Sequence, residues 1–266
     1  MAAAKAQSNK AKIARRVVEV LDFFDDLHRE ATVMDIVRRY QRPQSSTSEL
    51  LSSLVELGLL EKDSQARTYR LTPRAAMIGT GSQSGVVRDG RLVRLVDRLV
   101  AQTGLPVAVF GMVGLKTQIV SWRAGSRTTV RGLSGGMLDA LQESAAGWLL
   151  LSTIAQPRCD AVLRRLNAEA PDGRKFSTAD MAMKVHAARD SSEAFGPAGF
   201  GSSAQLAAVL LPADASDTPL VIAIAHAASE RVNAPALTAC IQEAIRMELA
   251  PESPAQVSFE LVQSAA

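Results

Sequence analysis

The chain has 266 residues, 47% of them hydrophobic, with 30 Lys and Arg against 27 Asp and Glu. That is enough chain for one or two domains with cores of their own. No apolar run approaches the ~20 residues of a membrane span. The opening MAAAKAQSNKAK lacks the apolar centre of a signal peptide, so a cytoplasmic protein with no membrane partner is expected. Charge is uneven: residues 1–74 hold 13 basic and 10 acidic side chains, whereas the remaining 192 hold 17 of each. All the positive excess therefore sits at one end, as expected for a polyanion-binding module. Cys159 and Cys240 have no ligand-spaced neighbours and read as small buried thiols.

In chain order, Ile13, Val17, Leu21, Phe24 and Leu27 mark a first amphipathic helix, with Arg15, Arg16 and the Asp22, Asp25, Asp26 cluster off the stripe. Thr32 is the expected N-cap of a short second helix that buries Val33, Ile36, Val37 and Tyr40. Pro43 ends the turn Gln41–Gln44 and sets up a third helix, Ser45 to Leu57. In it Thr47, Leu50, Leu51, Leu54 and Leu57 share one face, and Gly58 stops it. Leu59 to Asp63 and Thr68 to Thr72 then alternate as two strands around Ser64–Arg67. Three helices and a basic hairpin in this order make a winged helix-turn-helix, and its partner is double-stranded DNA.

Position assigns roles within that module. Arg38, Arg39 and Arg42 precede the third helix, while Lys62, Arg67 and Arg70 lie on or beside the wing. They flank it where phosphates would run, giving salt-dependent affinity. The helix itself has no Lys or Arg. Gln44, Ser45, Ser46, Ser48, Glu49 and Ser52 are its base-reading candidates: Gln pairs with adenine, and Glu accepts from a cytosine amino group. Glu49 has a second reading, neutralisation by Arg42.

Residues 76–90, rich in Gly and Ser, read as a linker. Arg91 to Thr103 is a helix carrying Leu92, Leu95, Val96, Leu99 and Val100, closed by Gly104. Strands are expected at 107–113, 117–122, 205–211 and 220–226, and helices near 144–154, 158–168, 178–190 and 234–249. Strands with helices on one face make an α+β sensor domain.

Two motifs carry a family resemblance. TVMDIVRRYQRPQSSTSELLSSLVELGLLEKD followed by TYRLT resembles the helix-turn-helix of the isocitrate-lyase-regulator (IclR) family of bacterial transcription factors. Pro43, Ser45, Leu50, Leu51, Leu54, Leu57, Gly58 and Leu59 match its pattern. Gln44, Ser48 and Glu49 depart from the usual Lys, His and Arg, which implies a different operator. GMLDALQESAAGWLLLS, residues 136–152, is similar to the family's effector-domain motif through Gly136, Leu141, Ala145, Gly147 and Leu151. Ala140, Gln142 and Trp148 replace its Pro, His and Lys, and Ser144 its Thr.

The resemblance implies a winged helix-turn-helix domain at 1–75, a linker and linker helix at 76–104, a GAF-like effector-binding domain at 105–250 and a tail at 251–266. It also implies a small organic acid as ligand. Glycine-rich backbone leading into a helix suits a carboxylate, so Gly135, Gly136, Gln142, Ser144 and Ala145 are the candidate polar contacts. Met137, Leu138 and Trp148 are the candidate apolar wall. The family's stretch that closes the pocket has no clean counterpart in residues 193–206, which read as a flexible loop. A ligand-independent regulator whose second domain only assembles the protein is thus the alternative.

An enzyme is not expected. His28, His186 and His226 fall in separate elements, Gly201–Ala204 lacks the second glycine of a nucleophile elbow, and no Walker loop or zinc pattern appears. No cofactor is implied. One recognition helix reads one half-site, so a homodimer is expected, and the resemblance adds a homotetramer.

Overall fold

A computed structural model of the chain describes residues 9–25, 28–79, 85–127 and 130–249, with side chains from residue 11 onward. Leu27 and Asp26, part of the 76–90 linker and the tail after Pro251 lie outside the described residues. The chain divides into two compact units, Met1–Gln83 and Ser84–Ala266.

The first unit runs α1 (Asn9–Phe23), α2 (Val33–Tyr40), α3 (Gln44–Glu56), β1 (Leu60–Asp63), β2 (Thr68–Leu71) and α4 (Pro73–Met77). Its core is Val20, Phe23, Ala31, Ile36, Leu51, Leu54, Leu59, Leu60 and Tyr69. Two expected core positions are corrected. Ile13 is 57% exposed and Leu57 62% exposed. The core meets the C-terminal half of α1, through Val17, Val20 and Phe23. At the other site α3 stops at Glu56, and the chain turns through Gly58 at φ +70°. The Leu59 N–H donates back to the Leu54 carbonyl at 2.9 Å, a closure that left-handed glycine permits. Leu59 and Leu60 then fill the core where Leu57 was expected.

Thr32 caps α2 as its sequence suggests. Its hydroxyl accepts from the Asp35 N–H, and the Asp35 carboxylate accepts from the Thr32 N–H at 2.8 Å. This is a reciprocal capping box. β1 and β2 pair antiparallel, with Glu61 opposite Arg70. A bridge that the sequence did not suggest ties the hairpin to the start of α2: Ala31 N–H donates to Tyr69 O at 3.0 Å and Tyr69 N–H to Ala31 O at 2.8 Å.

The second unit begins with α5 (Gly85–Arg88) and α6 (Arg91–Thr103), then β3 (Val107–Val113), β4 (Lys116–Arg123) and β5 (Leu138–Ala140). A 3-10 turn at Leu141–Glu143 leads into α7 (Ala145–Ser152), α8 (Gln156–Glu169) and α9 (Thr178–Ser191). β6 (Glu193–Pro197), β7 (Gln205–Leu210), β8 (Leu220–His226) and α10 (Ala234–Leu249) complete it. The strands form one antiparallel sheet in the order β5-β4-β3-β8-β7-β6.

Helices cover both faces of this sheet, not one. Ala108 and Phe110 of β3 face a core shared with α7, α8 and α9. Val107 and Val109 face a second core with α6 and α10. Burial on both sides explains why β3 and β8 read as continuous apolar runs rather than alternating ones. β6 corrects the expectation of a loop at 193–206. Gly196 and Pro197 mask a strand signal, yet an edge strand accommodates both.

α7 is buried along its whole length, and one glycine allows it. A Cβ on Gly147 would stand 1.9 Å from the Leu141 carbonyl oxygen and 2.8 Å from Thr117 Oγ1. At its other end Arg189 of α9 donates to the Ser152 carbonyl at 2.8 Å and the Ile154 carbonyl at 2.7 Å, so the terminal acceptors are met by charge-assisted bonds. Burial pushes the Cys159 thiol, beneath α7, above its ordinary pKa.

Gly147→Ala therefore costs about 3 kcal/mol through overpacking, read in urea unfolding of the full chain. Gly173→Ala, with nothing within 4 Å of its Cβ, changes stability by less than about 0.5 kcal/mol. A second expectation concerns the capping box. Thr32→Ala costs about 1 kcal/mol at neutral pH. The Thr32 hydroxyl and N–H hold the Asp35 carboxyl below 3.8. A depressed pKa stabilises the fold above 3.8, and that contribution disappears as pH falls through the folded-state value. Thr32→Ala removes the hydroxyl but keeps the backbone N–H, so acid titration of stability shows a smaller step.

Candidate nucleic-acid interface and effector site

α3 presents two different faces because only one is packed. Thr47, Leu51 and Leu54 are buried, and the Thr47 hydroxyl donates to the Pro43 carbonyl at 2.9 Å. Outward, Gln44, Ser45, Glu49 and Ser52 are exposed and Ser46 and Ser48 half-buried. The N-cap position, Pro43, makes no side-chain cap bond, so the first-turn N–H groups stay available to an acceptor. Ser46 is engaged: its hydroxyl accepts from Arg16 Nη2 at 3.2 Å and donates to the Pro43 carbonyl at 3.3 Å.

The six flanking cations fall into two groups. Arg38, Arg39 and Arg67 are exposed and join no ion pair with the described residues. Lys62 is also exposed, its ammonium 5.6 Å from the Tyr69 ring centroid. Arg67 occupies the wing turn with φ +56°. That turn is braced by the Asp63 carboxylate, which accepts from Gln65 N–H at 2.8 Å and Ala66 N–H at 2.9 Å. These bonds hold the Asp63 carboxyl below its usual range. Arg70 is paired with Glu61 across the hairpin.

Arg42 is paired with Glu19 of α1, not with Glu49. Its Nη2 lies 2.7 and 3.0 Å from the two carboxylate oxygens and its Nε 3.3 Å from one of them. Register could have found the Glu61–Arg70 pair in the sequence, since a hairpin with these strands places them opposite. Nothing local signals Glu19 or Arg16, 23 and 30 residues from their partners.

In the second unit the suggested effector residues divide. Ser144, Ala145, Gln142 and Trp148 are buried around the start of α7, whereas Gly135, Gly136 and Leu138 are exposed and Met137 half-buried. Ser144 Oγ caps α7 by accepting the Gly147 N–H at 3.0 Å. The Gly136 N–H, expected to be free, donates to the Ile119 carbonyl at 2.7 Å. The Trp148 indole N–H donates to the Gln142 carbonyl at 3.0 Å, and Lys184 sits 4.6 Å from its ring centroid. The ring also occupies the space a Cβ of Gly196 would take, 2.7 Å from Cη2.

Residues outside the expected set complete this region. Asp139 accepts from the Ala140 N–H at 2.9 Å and from the Phe200 N–H. Phe200 stacks on Phe110 with centroids 6.2 Å apart and holds φ +57°, an uncommon conformation for a bulky side chain that indicates local strain. Two buried polar atoms, Gln142 Oε1 and Thr117 Oγ1, have no hydrogen-bond partner among the described residues. Among the described residues no helix is long and apolar enough to cross a membrane.

Comparison with known proteins places this arrangement. Residues 14–64 match the family model described as the IclR helix-turn-helix domain. No curated protein matches the chain. Among solved structures, an IclR transcriptional regulator from Alicyclobacillus acidocaldarius is 17% identical with a TM-score of 0.55, over 91% of this chain and 97% of that one. An IclR homologue from Microbacterium hydrocarbonoxydans, complexed with 4-hydroxybenzoate, is 16% identical with a TM-score of 0.54, over 89% and 98%. The Thermotoga maritima IclR is 13% identical with a TM-score of 0.53, over 89% and 95%. These likenesses are of fold and span both units; the sequence match is to the first. The chain thus carries a segment that matches the IclR helix-turn-helix domain, and over both units it is similar in fold to solved IclR regulators.

Proposed function

We propose that the polar face of α3 chooses the operator and that cations beside it supply the grip. The observation that carries this is a helix packed through Thr47, Leu51 and Leu54, whose outward face of Gln44, Ser45, Ser48, Glu49 and Ser52 holds no cation. Arg38, Arg39, Lys62 and Arg67 flank it and suit phosphates. Arg42 and Arg70 join them only as far as Glu19 and Glu61 release them. A single α3 spans one half-site, so the regulator acts as a homodimer on a near-palindrome, or as a homotetramer through its second unit.

The second unit is proposed to answer to a small molecule carrying an acid group. Support comes from the fold shared with the relative that holds 4-hydroxybenzoate and from the unpartnered Gln142 and Thr117 oxygens, since buried polar atoms ordinarily have partners. One observation favours the other reading, a ligand-independent assembly domain. The Trp148 ring fills the space against Gly196, and the Asp139 carboxylate already holds the Phe200 N–H.

Selection of bound sites from random duplex DNA tests the first proposal. A motif of two related half-sites is expected; enrichment of no motif contradicts it. On that motif, Arg67→Ala weakens binding to operator and random DNA alike and lowers the salt slope by about one. Gln44→Ala and Glu49→Ala each relax preference at one base position. For the second unit, thermal shift with a panel of aromatic and short aliphatic acids, 4-hydroxybenzoate included, separates the readings. Stabilisation together with altered operator affinity supports the effector; a flat response to the whole panel supports the assembly domain.

A further inference from the structure

Arg42 is the cation nearest in sequence to the start of α3, and it is not free to act as one. Both of its fork nitrogens face Glu19, at 2.7 Å and 3.0 Å from Nη2 and 3.3 Å from Nε. The remaining nitrogen, Nη1, has no partner among the described residues. Glu19 is only 21% exposed and Arg42 39%, so solvent screens this pair less than it would a surface one. Glu19 stands one turn from Arg16, whose guanidinium holds Ser46 in the first turn of α3. α1 thus grips the entry of the recognition helix at two points.

We propose that Glu19 is a positioning residue that attenuates DNA affinity: it occupies the phosphate-binding fork of Arg42 and cancels its charge. A carboxylate and a phosphate compete for the same two parallel N–H groups of an arginine. While Glu19 holds the fork, a passing phosphate gains no net cation at this point and releases no counterion there. Sequence-independent affinity falls for operator and random duplex alike, whereas contacts of the α3 face with base edges are untouched, so sequence choice makes up a larger share of the total binding energy. A reading face without cations benefits, because a weaker ionic grip shortens residence on random sites while base contacts alone set the choice. This inference rests on the assignment of α3 and its flanks to the DNA interface.

The test measures binding of the full-length protein to a selected operator and to a random duplex of equal length, across a salt series. Wild type is compared with Glu19→Gln, Arg42→Ala and the double variant. Glu19→Gln, nearly isosteric, steepens the log–log salt slope by about one and tightens random-duplex binding about fivefold at 0.15 M salt. Arg42→Ala alone changes random-duplex affinity less than about twofold, and in its background Glu19→Gln has no further effect. Two results overturn the inference. One is an unchanged or shallower slope for Glu19→Gln; the other is an equal gain in the Arg42→Ala background, which marks a general charge effect. Arg67→Ala keeps the two readings apart. If it flattens the slope while Glu19→Gln does nothing, the DNA interface stands and the attenuation falls. If neither variant moves the slope, the interface assignment falls as well. Should Glu19→Gln lose its fold, a strong loss of affinity and slope in Arg42→Ala by itself overturns the proposal.

Discussion

Burial of Thr47, Leu51 and Leu54 against α1, α2 and the hairpin is the constraint on which the DNA-binding half depends. A helix inserted into a groove must be held firmly from behind and touched by nothing in front. Every nearby device serves that division. The capping box fixes where α2 begins, the left-handed Gly58 lets Leu59 and Leu60 close the core, and the Ala31–Tyr69 bridge ties the wing to the same core. Neutral and acidic side chains can then face a base edge from a defined position, which matters because hydrogen-bond readout tolerates little misplacement.

The second unit meets a related demand with a sheet sealed on both faces. α7 passes so close to the Leu141 turn that only glycine fits at 147, and its buried length leaves no polar surface to waste. Trp148 occupies the room beside Gly196, and Asp139 takes the Phe200 N–H. The unpartnered Gln142 and Thr117 oxygens are the counterweight, since an interior that satisfies its polar groups elsewhere leaves these two open.

Much of this was legible in the sequence, and the failures have common physical causes. The apolar stripe of α6, the unbroken apolar runs of β3 and β8 and the length of α10 carry their own signal, and Thr32 announces its cap through Asp35. Elements without periodicity were missed: β5 has three residues, and β6 contains Gly196 and Pro197. Ile13 and Leu57 fit the 3.6 period yet lie exposed, because periodicity tells which side of a helix is apolar and not how far the core extends along it. Coverage of the sheet on both faces is a tertiary fact that the unbroken apolar runs of β3 and β8 hinted at. Among the functional residues, α3 and its flanking arginines stand out by composition. Their pairing does not, since Glu19 meets Arg42 across a separation that no local pattern spans.

The central claim is that cations beside the helix supply affinity and the neutral and acidic groups on it supply choice. The most direct test is the salt dependence of the specificity ratio, obtained by titrating the wild-type protein with operator and with scrambled duplex between low and moderate salt. The account predicts parallel log–log lines, so that the ratio of the two affinities stays constant while both fall. An operator line steeper than the scrambled one by a slope of about one or more would contradict it, because sequence choice would then carry ionic contacts of its own.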